Sequence, residues 1–203
     1  MSLKLYIAPG SCSLAPHIAL REAELDFTVD KIDSRAKKTS DGRDYYTVNP
    51  NGFVPALDLG DGTILTEVQA VLQYIADQAP AKHLMPVEGI ARYRALQWLS
   101  FVSSELHKNF SPLFNPKASD EFKEATRDKI RTRFAHLDSH LATNDFLMGE
   151  EFTVVDCYAF TVATWLDRLK LDRAGLDHLD GFMQRVAARP HVHAARQAEG
   201  LVE

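Results

Sequence analysis

The sequence changes character near residue 80, and that change limits the fold more than any other feature. Up to Gln78 short apolar runs alternate with helical periods, whereas beyond Gly89 only helical periods occur. The pattern predicts a mixed α/β unit over residues 1–79, a linker over 80–88 and an all-helical unit over 89–203. In the first unit, Leu3 to Ala8 reads as a strand, Ala15 to Ala23 as a helix and Phe27 to Ile32 as a second strand, which together make a βαβ unit. After an irregular or short helical segment, the runs 55–59 and 63–65 flank Gly60-Asp61-Gly62, a strong hairpin signal. Thr66 is then placed to cap a helix whose Val68, Val71, Leu72 and Ile75 share one face, and Ala79-Pro80 ends it.

The second unit reads as a helix from about Gly89 to Ser111 halted by Pro112, then another from Asp120 to Thr143 with Phe122, Ile130, Phe134, Leu137 and Leu141 in step. Thr153 and Asp156 have the spacing of a capping box, which starts a helix running to about Lys170. A shorter helix spans roughly Leu176 to Ala188, and Pro190 opens a last one.

Charge excludes one class of partner. The formal net charge is −5, with 23 Lys and Arg against 28 Asp and Glu and the cations scattered, so no basic footprint for nucleic acid exists. No segment approaches the length of a membrane span and the start lacks a secretory pattern, which leads us to expect a cytoplasmic protein with no membrane partner. Two cysteines, Cys12 and Cys157, are too few for a disulfide scaffold, so each is read as a separate thiol.

Cys12 sits in Ala8-Pro9-Gly10-Ser11-Cys12-Ser13-Leu14-Ala15-Pro16, between the first strand and the first helix. Unpaired amides and the dipole of a helix start favour an anion there, which predicts a lowered thiol pKa. The position three residues on is Ala15, so no resolving thiol is present and the chemistry must involve an external thiol or an electrophile. A second feature is Val54-Pro55, where a proline opens a strand; the bond is a candidate for the cis isomer, with the Val54 N–H and C=O offered to an extended peptide. Third, Glu67 stands in the first turn of a helix, so that an α-amino acid would meet free amides with its carboxylate and Glu67 with its ammonium.

The segments K-L-Y-I-A-P-G-S-C-S-L-A-P-H-I-A-L-R-E-A at 4–23, N-P-N-G-F-V-P-A-L at 49–57, L-T-E-V at 65–68, E-L-H-K at 105–108 and F-T-V-V-D at 152–156 resemble the glutathione S-transferase family over nearly the whole chain. They look most like its bacterial, cysteine-containing beta class. The resemblance implies a thioredoxin-like N-terminal domain (βαβ-α-ββα), an all-helical C-terminal domain, a homodimer, glutathione as co-substrate with no other cofactor and no metal, and a small hydrophobic electrophile as the second substrate. It implies catalytic roles for Cys12, assisted by Ser13 and His107, and glutathione contacts from Ser11, Lys37, Phe53, Val54, Pro55, Glu67, Val68, Ser104 and Lys108. Lys37 resembles the family's lysine for the glycyl carboxylate, and Ser104 a position reaching the glutathione of the neighbouring subunit.

On the long helix Ser100, Ser104, His107 and Ser111 recur at helical spacing with apolar residues to either side, so the stripe is expected to line a cleft where the near-neutral pKa of His107 suits proton transfer. Phe110, Leu113, Phe114 and Trp165 are the expected walls of the electrophile pocket, and Cys157 is expected to be structural. The chain departs from the class at Phe53, where glutamine is common, at Val68, where glycine is, and at Ser100, where asparagine is. Conjugation of the glutathione thiolate to hydrophobic electrophiles is the expected activity, with thiol–disulfide exchange through Cys12 beside it. The alternatives are a glutathione-dependent disulfide reductase and a non-catalytic binder of a ligand or partner.

Overall fold

A computed structural model describes residues 2–203; Met1, the first residue of the expected α/β unit, lies outside the described residues. The chain opens with β1 (Leu3–Ile7), α1 (Leu14–Glu22) and β2 (Phe27–Lys31), and the two strands pair in parallel. A parallel pair needs a crossover, which α1 supplies. After a single helical turn at Tyr45–Thr47, β3 (Ala56–Asp58) and β4 (Ile64–Thr66) form the hairpin; β3 joins β1 antiparallel, giving the sheet order β2-β1-β3-β4. Strand alternation divides the side chains of β1. Leu5 and Ile7 enter the core beneath α1, while Tyr6 packs on the other face with Ile32, Tyr45 and Ala56.

α2 (Val68–Gln78) comes next, with Val68, Val71, Leu72 and Ile75 buried as the pattern predicts. Its first flanking residue is Glu67, not Thr66, because Thr66 is held in the hairpin opposite Ala56. α3 (Gly89–Phe101) does not run unbroken to Ser111. It widens into a π-helical turn at Val102–Leu106, tightens into a 3₁₀ turn at His107–Phe110 and resumes as α4 (Ser111–Phe114). Pro112 lies in the first turn of α4, where its missing N–H costs no helical bond, and so it starts a helix instead of ending one.

The remaining helices are α5 (Asp120–Leu141), α6 (Val154–Arg168), α7 (Asp177–Ala187) and α8 (Pro190–Glu199). Phe122 is 56% exposed, unlike the other apolar residues in its row. The capping box forms: the Thr153 amide donates to Asp156 Oδ2 at 2.7 Å, and Asp156 also accepts from the Leu147 amide at 2.8 Å. Every residue from Val154 to Ala163 is buried, so α6 is the central post of the helical part. α1 packs against α2, α6 and α8, which brings the end of β1 onto the C-terminal half of α6. Among the described residues no helix is long and apolar enough to cross a membrane.

Candidate active site

The turn between β1 and α1 is held from three sides. Gly10, at φ 67°, donates its amide to Glu199 Oε2 at 2.8 Å, and its carbonyl accepts from Trp165 Nε1 at 3.0 Å. Beneath the turn Ser13 is fully buried; its Oγ accepts from the Ala8 amide at 3.1 Å and lies 2.9 Å from Ser11 Oγ. Ser13 borders neither of the two cavities that open beside the turn, and its hydroxyl ties the strand end to the helix start. Ser13, expected to assist Cys12, thus stands behind the cysteine and not at the cavity surface.

Cys12 is partly exposed, and its thiol donates to the Val54 carbonyl at 3.2 Å. Burial of the sulfur pushes its pKa up to about 12, the Glu67 carboxylate adds repulsion, and the Cys12 and Ser13 amides pull in the other direction without prevailing. The expected lowering is therefore overturned. Helix-start amides are present, yet desolvation is the larger effect, and the resting thiol is protonated at neutral pH.

The Val54-Pro55 bond is cis. The loop before it is fixed by side chains whose part the sequence did not disclose: Tyr45 Oη and Asn49 Nδ2 both donate to the Phe53 carbonyl, at 2.9 and 2.7 Å. Lys37 Nζ donates to the Gly52 carbonyl at 2.7 Å and lies 5.6 Å from the centre of the Phe53 ring, which is 71% exposed. Gly52 has φ 66°, and a Cβ there would stand 2.7 Å from the Tyr46 ring, so only glycine fits this turn.

The two adjoining cavities have volumes of about 350 and 280 Å³. Cys12, Phe53, Val54, His107 and Ser111 border both. The larger of the two adds Pro55, Glu67, Val68, Lys108, Ser103 and Tyr158. The smaller adds Ser11, Lys37, Phe114, Trp165 and Arg168. Glu67 adopts φ 67° and ψ 122°, a conformation that costs a non-glycine residue about 1–3 kcal/mol and holds the carboxylate at the rim where α2 begins.

His107 Nδ1 lies 2.7 Å from Tyr158 Oη, and burial, with Lys108 next to it, lowers the imidazole pKa to about 4. The ring is neutral at pH 7, in place of the near-neutral titration expected. Burial likewise raises the Tyr158 phenol, so it stays a neutral partner. Tyr158 comes from α6, in a different helix from His107, and nothing in the local pattern marked it.

The polar stripe divides. His107 and Ser111 border the cavities, joined by Ser103 from outside the expected stripe, while Ser100 and Ser104 are exposed and Ser104 Oγ donates back to the Ser100 carbonyl at 2.9 Å. Of the four expected pocket walls, Phe114 and Trp165 line the smaller cavity. Phe110 is fully buried behind them, edge-on to Trp165 and Phe134, and Leu113 packs on the core; neither borders a cavity, a correction that stems from the tighter 107–110 turn rotating Phe110 inward. Cys157 is sealed in the core.

Residues 10–78 match the family model described as glutathione S-transferase, N-terminal domain, and residues 101–190 the one for the C-terminal domain. A glutathione S-transferase of Escherichia coli O157:H7 is 45% identical over 98% of this chain and 100% of its own. The chain belongs to the glutathione S-transferase family. A sphingomonad glutathione S-transferase solved in complex with glutathione superposes with a TM-score of 0.94 at 48% identity, covering 98% of this chain and 100% of that one. The transferase of Sphingomonas chungbukensis, described as bacterial beta class, gives 0.95 at 46% over the same shares. The thioredoxin-like N-terminal domain and helical C-terminal domain expected for the family are both present, and the named relatives make this chain an enzyme of the transferase type.

Proposed function

We propose that the chain binds glutathione extended across the two cavities and joins its sulfur to hydrophobic electrophiles. One observation carries this reading: Cys12, Val54 and His107 border both cavities, while Glu67 borders only one and Lys37 only the other. Glutathione has an ammonium and a carboxylate at its γ-glutamyl end and a second carboxylate at its glycyl end. Glu67 and the Val68 amide suit the first end, Val54 the cysteinyl main chain, and Lys37 the last. The glutathione sulfur then comes to rest beside Cys12 and His107, two neutral groups able to donate hydrogen bonds to a thiolate.

The sulfur loses its proton to solvent and attacks the electrophilic carbon with its freed pair. With a chloroarene the C–S bond forms, the C–Cl bond breaks and chloride departs with the bonding electrons. Phe114 and Trp165 offer the apolar wall for the arene. Exchange through a mixed disulfide on Cys12 is less favoured, since it calls for a Cys12 thiolate and the resting thiol is protonated. A homodimer fits the exposed Val87, Ile90 and Tyr93 at the start of α3, and in it Ser104, turned away from its own cavities, is free to meet the partner's glutathione. The boundaries 1–79, 80–88 and 89–203 and a cytoplasmic site complete the reading.

The test is calorimetric titration with glutathione, followed by conjugation of chlorodinitrobenzene by the parent protein, Cys12→Ala and His107→Ala. The parent turns over, His107→Ala loses about 10–100-fold in kcat/KM, and Cys12→Ala keeps conjugation within about 10-fold while losing exchange. A parent protein that neither binds millimolar glutathione nor conjugates ends the proposal.

A further inference from the structure

The cation that the transferase reading leaves unused is Arg168, the last residue of α6. It stands where the smaller site cavity meets a third cavity of about 600 Å³ on the other side of the catalytic turn, and Gly10, Trp165 and Arg168 border both. The guanidinium carbon lies 5.8 Å from the centre of the Phe114 ring, and Nη1 makes one long bond, 3.4 Å, to the Gly10 carbonyl. Four of its five N–H groups have no partner among the described residues.

The acids bordering the third cavity do not neutralise it. Arg173 holds both Asp167, at 3.2 Å, and Asp180, at 3.1 Å. Glu199, buried behind the cavity and not part of its lining, is taken by His17 at 2.8 Å and by the Gly10 amide. Among the described residues no ion pair includes Arg168. Lys37, the other full cation at the smaller cavity, already donates to the Gly52 carbonyl.

We propose that Arg168 selects anionic aromatic electrophiles: the ring lies against Phe114 and Trp165, and a carboxylate on it meets the guanidinium. This rests on the transferase reading and names its substrate class. A chain of net charge −5 repels a free anion at long range, but salt screens that field beyond roughly 8 Å, so the local sign is decided by Arg168, with Arg196 also bordering the third cavity and paired with no carboxylate among the described residues. Substrates longer than the smaller cavity have the third one to extend into, past the same side chain.

The experiment compares chlorodinitrobenzene with chlorodinitrobenzoate, which undergo the same substitution and differ by one carboxylate. The kcat/KM of each is measured for the parent protein, Arg168→Gln and Arg168→Lys at two salt concentrations. Arg168→Gln is expected to lower kcat/KM for the benzoate about 10-fold, chiefly through KM, and to leave the neutral substrate within about twofold. Arg168→Lys falls between, and added salt erodes the preference in the parent and in Arg168→Lys but not in Arg168→Gln. Equal losses for the two substrates, or none for the benzoate, overturn the proposal. No turnover of either substrate by the parent overturns the transferase reading itself and this proposal with it, and the two failures are told apart by the neutral substrate.

Discussion

Two thiols sit at two helix starts in this molecule, and they live in different surroundings. α1 begins without a side-chain cap, and the Cys12 sulfur borders two cavities with amides aimed at it. α6 begins with a closed capping box in which Thr153 takes the first-turn amides and the Asp156 carboxylate takes the Thr153 amide, and Cys157 one residue later faces the core with its thiol 3.7 Å from the Thr153 carbonyl. Burial raises both pKa values. The difference teaches that a helix dipole sets the direction of a pull and desolvation sets whether it wins; a thiol at a helix start is a nucleophile only once something polar replaces the water it has lost.

The largest expected effect tests that comparison directly. With a pKa of about 12 in place of the usual 9.0, Cys12 has on the order of 10³ less thiolate at neutral pH, so iodoacetamide labels it far more slowly than a free thiol, and Cys157 not at all before unfolding. Mass spectrometry of single-cysteine variants reads both rates; labelling of Cys12 at the free-thiol rate would mean that the dipole had prevailed. Next, Asp156→Ala leaves the Thr153 and Leu147 amides without their acceptor and is expected to cost about 3 kcal/mol in urea unfolding, whereas Cys12→Ala costs less than about 1. Equal losses would remove the distinction between a structural and a functional helix start.

A pH measurement comes third. The His107 pKa is about 4 in the fold against 6.5 unfolded, so between those values the unfolded chain binds more protons. Stability contributed by His107 is complete above pH 6.5 and declines as pH falls toward 4, by about 1–3 kcal/mol after allowance for partial solvent contact. Subtracting the pH–stability curve of His107→Gln isolates it, and a flat difference would show that the ring titrates normally. The smallest effect is kinetic: Tyr158→Phe removes the partner of His107 Nδ1 and is expected to lower kcat about 3–10-fold with KM unchanged. A matching loss in His107→Ala/Tyr158→Phe beyond His107→Ala alone would separate the two side chains.

Much of this was legible in residue order. The alternation in Leu3–Ile7, the Asp-Gly turn and the Thr153/Asp156 spacing are local codes, and each produced its element within a residue or two. The break at 102–110 was not, because π and 3₁₀ turns keep nearly the apolar rhythm of an α-helix while rotating the residues beyond them; hence Phe110 goes inside and Ser103 replaces Ser104 beside His107. Tyr158, Tyr45 and Asn49 serve the site from distant elements, and no spacing in the chain announces contacts formed by packing.

By itself the sequence determined which elements form and which side chains stand at the Cys12 turn, the Val54-Pro55 loop and the Glu67 helix start, since those depend on neighbours in the chain. Only the tertiary structure decided the charge state of Cys12 and His107, and that Arg168 meets no carboxylate among the described residues. Protonation and pairing are set by how much water the packed neighbours remove and which charges they bring close, and both are sums over groups far apart in sequence.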